Sequence, residues 1–249
     1  MKNSAKQVLD GNPRARLWLF DFDNTLAELE PKVDWAASRR ELEPYLRAAG
    51  VADAIFAEIP RGNLPLYEAL RARLASAVRG DAVASFAGDR VASDRVLREA
   101  SALIEKYELL GVERAAPADG AAELLRALAA RGSSAAIVTS NSSRTVMRWL
   151  ERHRMTALVR AIVGRDSMLP LKPAPDMVGR GLELCATLAA DAVFVGDSEA
   201  DLRAACAAQV GFFGVAVRAE LRDRLTAAGA TRAFESPAAL GIFIADYGS

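Results

Sequence analysis

The chain has 249 residues, of which 51% are hydrophobic, and its 32 basic side chains balance its 32 acidic ones. This length allows one large core, or one core with a small inserted domain. The balanced charge argues against a nucleic-acid-binding protein, which would carry a basic surface. No apolar run reaches the roughly 18 residues of a membrane span, and residues 1–16 show no signal peptide, so we expect a cytoplasmic monomer or homodimer.

The first predicted element is a buried strand over residues 17–20, which are all apolar. It ends at Asp21 and Asp23, two carboxylates with one residue between them. Such strand ends are where α/β folds place their chemistry. One aspartate can act as a nucleophile and its neighbour as a general acid and base. By itself, however, the Asp-x-Asp pattern is also compatible with an ordinary polar turn.

The next stretch carries helical patterning and few strand signals. The amphipathic helices predicted there span 33–50, 64–79 and 93–110. We interpret residues 32–112 as an inserted helical domain, which leaves a core formed by 1–31 and 113–249. Pro31-Lys32 and the stretch near Gly111 are plausible hinges for this insert.

From about residue 116, helices and strands alternate, which predicts a doubly wound parallel sheet with helices on both faces. The predicted strands are 135–138, part of 157–163, 192–195, 211–217 and 232–234. The predicted helices are 119–131, 145–152, 176–190 and 199–208.

Two scarce residue types limit the possible chemistry. His153 is the only histidine, so multi-histidine zinc sites are excluded. It is predicted at an exposed helix end, where a catalytic role is not expected. Cys185 and Cys206 lie in apolar helical contexts, so we expect buried, reduced thiols instead of a disulfide.

Four polar clusters follow the strands or lie in loops beside them. They are Asp21 with Asp23, Thr139-Ser140-Asn141, Lys172, and Asp197 with Asp201. The carboxyl ends of parallel strands open into one crevice, so these distant residues are expected to meet there. Clustered carboxylates repel unless a cation offsets them, and hard oxygen ligands suit Mg2+. The Thr139 hydroxyl and the amides after it can hold phosphate oxygens, and Lys172 can neutralise charge.

In this order the clusters resemble the four motifs of the haloacid dehalogenase (HAD) superfamily, most of whose members are Mg2+-dependent phosphatases. Residues 21–26, Asp-Phe-Asp-Asn-Thr-Leu, are similar to the first motif, although Asn24 replaces the usual glycine. The apolar strand ending in Thr139 is similar to the second motif. Residues 164–176 resemble the third-motif region of phosphoglycolate-phosphatase-like members, and Gly-Asp-Ser-x-x-Asp at 196–201 resembles the fourth.

The resemblance implies an α/β HAD core with an α-helical cap, and a role for each matching residue. Asp21 would attack phosphorus and form an aspartyl-phosphate. Asp23 would protonate the leaving oxygen, activate water and bind metal through its carbonyl. Lys172 would neutralise charge. The Mg2+ ligands implied are Asp21, Asp23, Asp197 and Asp201, although Asp201 could instead orient Lys172.

The phosphate-binding group implied is Thr139 with the amides of Ser140 and Asn141. Arg61, in a cap loop with Gly62 and Asn63, is a candidate for reading the substrate, although a simple helix-helix turn explains this loop equally well. Taken alone, Thr139-Ser140-Asn141 would be an ordinary helix cap.

We therefore expect a Mg2+-dependent phosphatase that acts on a small phosphorylated metabolite. A haloacid dehalogenase also uses an aspartate nucleophile, but it needs neither Mg2+ nor Asp23. A phosphomutase shares all four motifs, and a non-catalytic phosphometabolite-binding protein on the same fold remains a further alternative. Asparagine tolerates a left-handed backbone nearly as well as glycine, so Asn24 is not expected to abolish function.

Overall fold

Within residues 10–76 and 89–247, which the computed structural model describes, six parallel strands form one sheet in the order β3-β2-β1-β4-β5-β6. The strands are β1 Leu17–Phe20, β2 Ser134–Val138, β3 Ala161–Val163, β4 Ala192–Gly196, β5 Gly211–Val215 and β6 Arg232–Phe234. The strand order reverses direction at β1, which lies between β2 and β4. A crevice is therefore expected at the carboxyl end of β1, where neighbouring loops diverge.

The four residues of β1 are fully buried because both faces of the sheet are covered. Leu17 and Leu19 face one apolar cluster, while Trp18 and Phe20 face the other. This alternation follows from the two-residue repeat of a strand. A continuous apolar run of this kind is typical of a parallel strand buried on both sides, as the sequence predicted.

Helices cover both faces of the sheet. They are α1 Trp35–Ala48, α2 Ala54–Glu58, α3 Asn63–Ser76, α4 Arg90–Val112, α5 Ala121–Ala130, α6 Ser143–Arg152, α7 Asp176–Leu184, α8 Glu199–Ala207, α9 Ala219–Ala227 and α10 Pro237–Asp246. Buried residues of α5, α6 and α10 pack in the cluster on one face, and those of α7, α8 and α9 pack in the cluster on the other. The predicted doubly wound α/β fold is confirmed.

Helices α1 to α4, called the insert below, follow β1 and precede α5 and β2. Apolar residues of the insert, such as Leu42, Leu66 and Ile104, belong to the same cluster as Leu19 on the sheet. Three of these helices were predicted, whereas the short helix α2 was not. The predicted end of the second helix, at residue 79, lies outside the described residues.

The helix predicted over 176–190 is shorter than expected and ends at Leu184. Ala186 adopts a left-handed backbone with φ of 50°. Its N–H and that of Thr187 donate to carbonyls of the last helical turn, both at 3.0 Å. This arrangement terminates a helix, but glycine or asparagine usually occupies the left-handed position. The sequence therefore contains no sign of the helix end.

The remaining predictions about helices, the histidine and the cysteines were only partly correct. Helices α9 and α10 were not predicted. His153 is half-buried against Trp149, with ring centroids 4.9 Å apart, and is not fully exposed. Cys185 and Cys206 are both free, although only Cys185 is fully buried. Among the described helices, none has the length and apolar character needed to cross a membrane.

Replacing Ala186 with glycine is expected to stabilise the fold by about 0.5–1 kcal/mol, because a side chain at positive φ is strained. The matched control is Ala127→Gly, another exposed alanine, in the middle of α5, which is expected to cost about 1 kcal/mol. Urea denaturation measures both changes. A loss of stability in both variants would contradict the left-handed conformation of Ala186.

Candidate active site

Three neighbouring strands deliver polar residues to one edge of the sheet. Asp21 follows β1, and its N–H donates to Val195 O at 2.8 Å, which extends the ladder beyond the strand. Thr139 follows β2, and its N–H donates to Val163 O at 3.0 Å. Asp197 follows β4. The backbone of the sheet therefore fixes the Cα positions of Asp21, Thr139 and Asp197.

Lys172 links two carboxylates at this edge. Its Nζ forms ion pairs with Asp21 and Asp201 and donates to Val138 O at 3.2 Å. The side chains of Lys172, Asp21 and Asp201 are only 6%, 9% and 2% exposed. Burying these charges is tolerable because each is paired.

The capping box of α8 holds Asp201 in place. Its Oδ2 accepts from Ser198 N at 3.1 Å and from Ser198 Oγ at 2.6 Å, while its Oδ1 faces Lys172. Gly196 allows this approach, because a Cβ there would lie 2.7 Å from the Asp201 carboxylate. Of the two sequence interpretations of Asp201, the contact corresponds to orientation of Lys172.

Asp197 brings a third carboxylate to the cluster. Carboxylate oxygens of Asp21, Asp197 and Asp201 lie within 4.8 Å of one another. Burial and the charge of Asp201 raise the pKa of Asp21 to about 6, against the opposing effect of Lys172. Burial and the charges of Asp21 and Asp201 raise the pKa of Asp197 to about 8. Burial disfavours the Lys172 ammonium, but Asp201 and Asp21 outweigh that effect and raise its pKa.

This donor set fits a divalent cation. Three carboxylates face one ammonium, so the cluster carries excess negative charge when all are ionised. A bound cation would relieve that repulsion and favour the charged carboxylates, and oxygen ligands with an incomplete protein shell suit Mg2+.

The carboxylate of Asp23 lies outside that cluster. Its Oδ1 accepts from Leu29 N at 3.0 Å and from Glu30 N at 2.9 Å. Burial, with the charges of Asp21 and Glu30, raises the pKa of Asp23 to about 7, although these N–H groups oppose the shift. The predicted role of its backbone carbonyl as a metal ligand stays a prediction.

Asn24 adopts the left-handed backbone expected at the position where the first motif usually has glycine. Its φ is 60°, and its Nδ2 donates to Glu30 Oε2 at 2.9 Å. Asparagine is one of the residues that occupy this region most readily. The departure from the motif therefore leaves the turn intact.

The turn at residues 139–142 lies beside the carboxylates. Thr139 Oγ1 donates to Asn141 Oδ1 at 3.0 Å and accepts from Asn141 N at 3.2 Å. Ser142 caps α6 by accepting from Thr145 N at 3.1 Å. The turn therefore meets the N-terminus of a helix, where backbone N–H groups favour anions.

The four carboxylates, Lys172 and residues 139–141 line one cavity of about 440 Å³, together with residues of the insert. The insert contributes Trp35 and residues 62–65 to the wall. Arg61 is exposed and is not among the lining residues, so the structure does not bring this predicted residue to the cavity. Sequence reasoning missed Trp35 and Glu30, because no motif or periodicity distinguishes them from other helix and loop residues.

The comparison with protein families decides the identity. A model of the haloacid dehalogenase-like hydrolase family matches residues 81–215, which is more than half of the chain. The chain belongs to this family. The predicted HAD membership and hydrolase class are confirmed. The match includes Thr139, Lys172 and Asp197, whereas Asp21 and Asp23 precede it and join the site through the sheet.

Individual HAD proteins are similar over most of the chain. A phosphoglycolate phosphatase from Pseudomonas fluorescens is 29% identical over 195 residues, which are 78% of this chain and 67% of that protein. A HAD-superfamily hydrolase from Ehrlichia chaffeensis has a TM-score of 0.55 at 20% identity, covering 95% of this chain and 98% of its own. CbbY from Rhodobacter sphaeroides, solved in complex with phosphate, has a TM-score of 0.53 at 24% identity, covering 91% and 96%. These two structures support the fold.

In EDTA, stability is expected to fall as pH rises from 5 to 8.5. Asp21, Asp23 and Asp197 have pKa values raised to about 6, 7 and 8, so each contributes stability that is present below its unfolded pKa and lost as pH rises through the folded value. Thermal unfolding of Asp197→Asn should show a smaller decline than the wild type. The exposed Asp223→Asn variant is the control. Parallel declines in all three proteins would contradict the raised pKa of Asp197.

Proposed function

We propose that this HAD hydrolase is a Mg2+-dependent phosphatase that acts on a small phosphorylated metabolite. The observation that carries the proposal is the Asp21 carboxylate, which lines a cavity between Lys172 and the 139–142 turn. A nucleophile, a cation and phosphate-binding amides thus share one space. The relatives named phosphoglycolate phosphatase support this chemistry.

In the first step, an Asp21 oxygen forms a bond to phosphorus while the ester oxygen leaves. Asp23 donates its proton to that leaving oxygen. In the second step, Asp23 takes a proton from water, whose oxygen attacks the phosphorus of the aspartyl-phosphate. Inorganic phosphate leaves, and Asp21 is regenerated. A pKa near 7 suits a group that must give and then accept a proton at neutral pH.

Charge stabilisation comes from groups that are already in place. Lys172 and the amides of Ser140 and Asn141 would offset the negative charge of the phosphoryl oxygens. Mg2+, when bound, would supply further positive charge. Asp21, Asp197 and the carbonyl of Asp23 are the ligands proposed for it, with Asp201 acting mainly through Lys172.

We further propose that residues 32–112 act as a cap over the core formed by 1–31 and 113–249. The insert supplies one wall of the cavity, and its closure would exclude bulk water from the aspartyl-phosphate. A cavity of about 440 Å³ admits a small metabolite and not a folded phosphoprotein. Pro31-Lys32 and the region of Gly111 remain the proposed hinges.

Hydrolysis of p-nitrophenyl phosphate tests the proposal. The wild type with Mg2+ is expected to release p-nitrophenolate and inorganic phosphate, whereas EDTA should remove the activity. Asp21→Asn should lower kcat at least about a thousandfold, because the amide is a poor nucleophile. Asp223→Asn, an exposed control on α9, should match the wild type. Metal-independent turnover, or full activity in Asp21→Asn, would contradict the mechanism.

The leaving group tests the role of Asp23. Nitrophenolate departs readily as an anion, whereas the oxygen of an alkyl phosphate needs a proton. Asp23→Asn is therefore expected to lower kcat about 10- to 100-fold more for an alkyl metabolite phosphate than for p-nitrophenyl phosphate. The alkyl ester used is the one that the wild type hydrolyses fastest in a screen of small phosphorylated metabolites. Equal losses on both esters would rule out proton donation to the leaving group.

A further inference from the structure

A buried ion pair lies behind the 139–142 turn. Glu108 is on α4 of the insert, and Arg165 follows β3. Both side chains are 0% exposed. Neither takes part in the chemistry proposed above. Buried charges cost free energy unless every hydrogen-bonding position is satisfied, so the partners of this pair indicate what it does.

The guanidinium group of Arg165 uses all five of its N–H donors. Two reach Glu108, at 2.7 and 3.2 Å. Two reach the hydroxyl and the carbonyl of Ser101 on α4, at 3.1 and 3.2 Å. The fifth reaches the carbonyl of Ser140 at 2.8 Å, within the turn. The orientation of the guanidinium is therefore fully determined, because the group is planar and has no donor left over.

Glu108 is saturated in the same way. Besides Arg165, its carboxylate accepts from Asn141 Nδ2 at 3.1 Å, from Ser142 N at 3.1 Å and from Thr145 Oγ1 at 3.2 Å. The backbone N–H of Arg165 also donates to Asn141 O at 2.8 Å. The pair thus contacts three consecutive residues of the turn.

These bonds orient the peptide unit between Ser140 and Asn141. Its carbonyl points to Arg165, and in a trans peptide the N–H points the opposite way. That N–H meets Thr139 Oγ1 at 3.2 Å, and Thr139 lines the cavity. We infer that Glu108 and Arg165 are positioning residues that hold the peptide unit between Ser140 and Asn141 with its N–H toward Thr139 and the cavity where the phosphate would bind. The inference rests on the proposed phosphatase function.

An apolar pair of similar volume would fill the same space and is often as stable as a buried ion pair. What it would not reproduce is the direction of the bonds to Ser140, Asn141 and Ser142. A variant with an apolar pair should therefore keep most of the stability of the wild type but bind phosphate more weakly.

The test compares Arg165→Met, Glu108→Leu with Arg165→Met, and the isosteric Glu108→Gln. Arg165→Met should lose stability, because Glu108 is left unpaired, and the double variant should regain most of that loss. In both, the inhibition constant of inorganic phosphate should rise at least about tenfold and kcat on p-nitrophenyl phosphate should fall at least about tenfold. Glu108→Gln keeps the shape of the side chain but leaves the Arg165 charge uncompensated, so it should also lose stability and bind phosphate at least about fivefold more weakly.

The matched control is Glu113→Gln. Glu113 is the C-cap residue of α4 and pairs with Arg148 and Arg152 of α6, so it also links the end of α4 to α6, but it does not contact the turn. This variant should stay within twofold of the wild type in kcat and phosphate inhibition. A loss as large as that of the double variant would indicate that any weakening of the α4–α6 contact impairs binding, and would overturn the inference.

Two outcomes separate this inference from the proposed function. In the first outcome, the wild type hydrolyses p-nitrophenyl phosphate, and either the folded double variant or folded Glu108→Gln keeps the wild-type kcat and phosphate inhibition constant. This outcome overturns the inference but not the proposed function. A wild type without turnover overturns the proposed function, and phosphate protection against thermal unfolding then decides. If phosphate protects the wild type against thermal unfolding but does not protect the variants, the positioning role is supported. If phosphate protects the wild type and the variants equally, or does not protect the wild type, the positioning role is overturned.

Discussion

The ammonium group of Lys172 is the constraint on which the site depends. It lies between Asp21 and Asp201, and all three side chains are almost inaccessible to water. Burial already raises the pKa of Asp21, so a neutral residue in place of Lys172 would favour the protonated acid, which is no nucleophile. Asp201 is in turn held by Ser198, and Gly196 leaves room for it. The reactivity of one carboxylate thus depends on the cap of a helix at another strand.

The core and the insert make different contributions to the cavity. The charged groups come from the ends of β1 and β4, from Glu30, from the loop that carries Lys172 and from the first turn of α8, which carries Asp201. Trp35 and residues 62–65 supply an uncharged wall from the insert. This division lets the wall vary without disturbing the charged cluster. The clearest polar connection between them, Glu108 with Arg165, lies out of solvent behind the turn.

The sequence predicted those parts of the site that follow from local rules. The apolar run of β1 places Asp21 at a strand end, and Asn24 adopts the left-handed backbone that its position requires. The wall residue Trp35 could not be predicted, because its role depends on how the insert folds back over the sheet. The pairing of Glu108 with Arg165, 57 residues away, leaves no trace in helical periodicity.

The position of the insert also bears on how the chain folds. β1 precedes both of its neighbours in the chain, because β2 and β4 begin only at Ser134 and Ala192. Its four apolar residues therefore have no hydrogen-bonded neighbour until β2 has been synthesised. Pairings between such distant segments form slowly, and unpaired apolar strands promote aggregation. Helices α1 to α4 contact one another over shorter separations in sequence, so they can pack together before the later strands of the sheet have been synthesised.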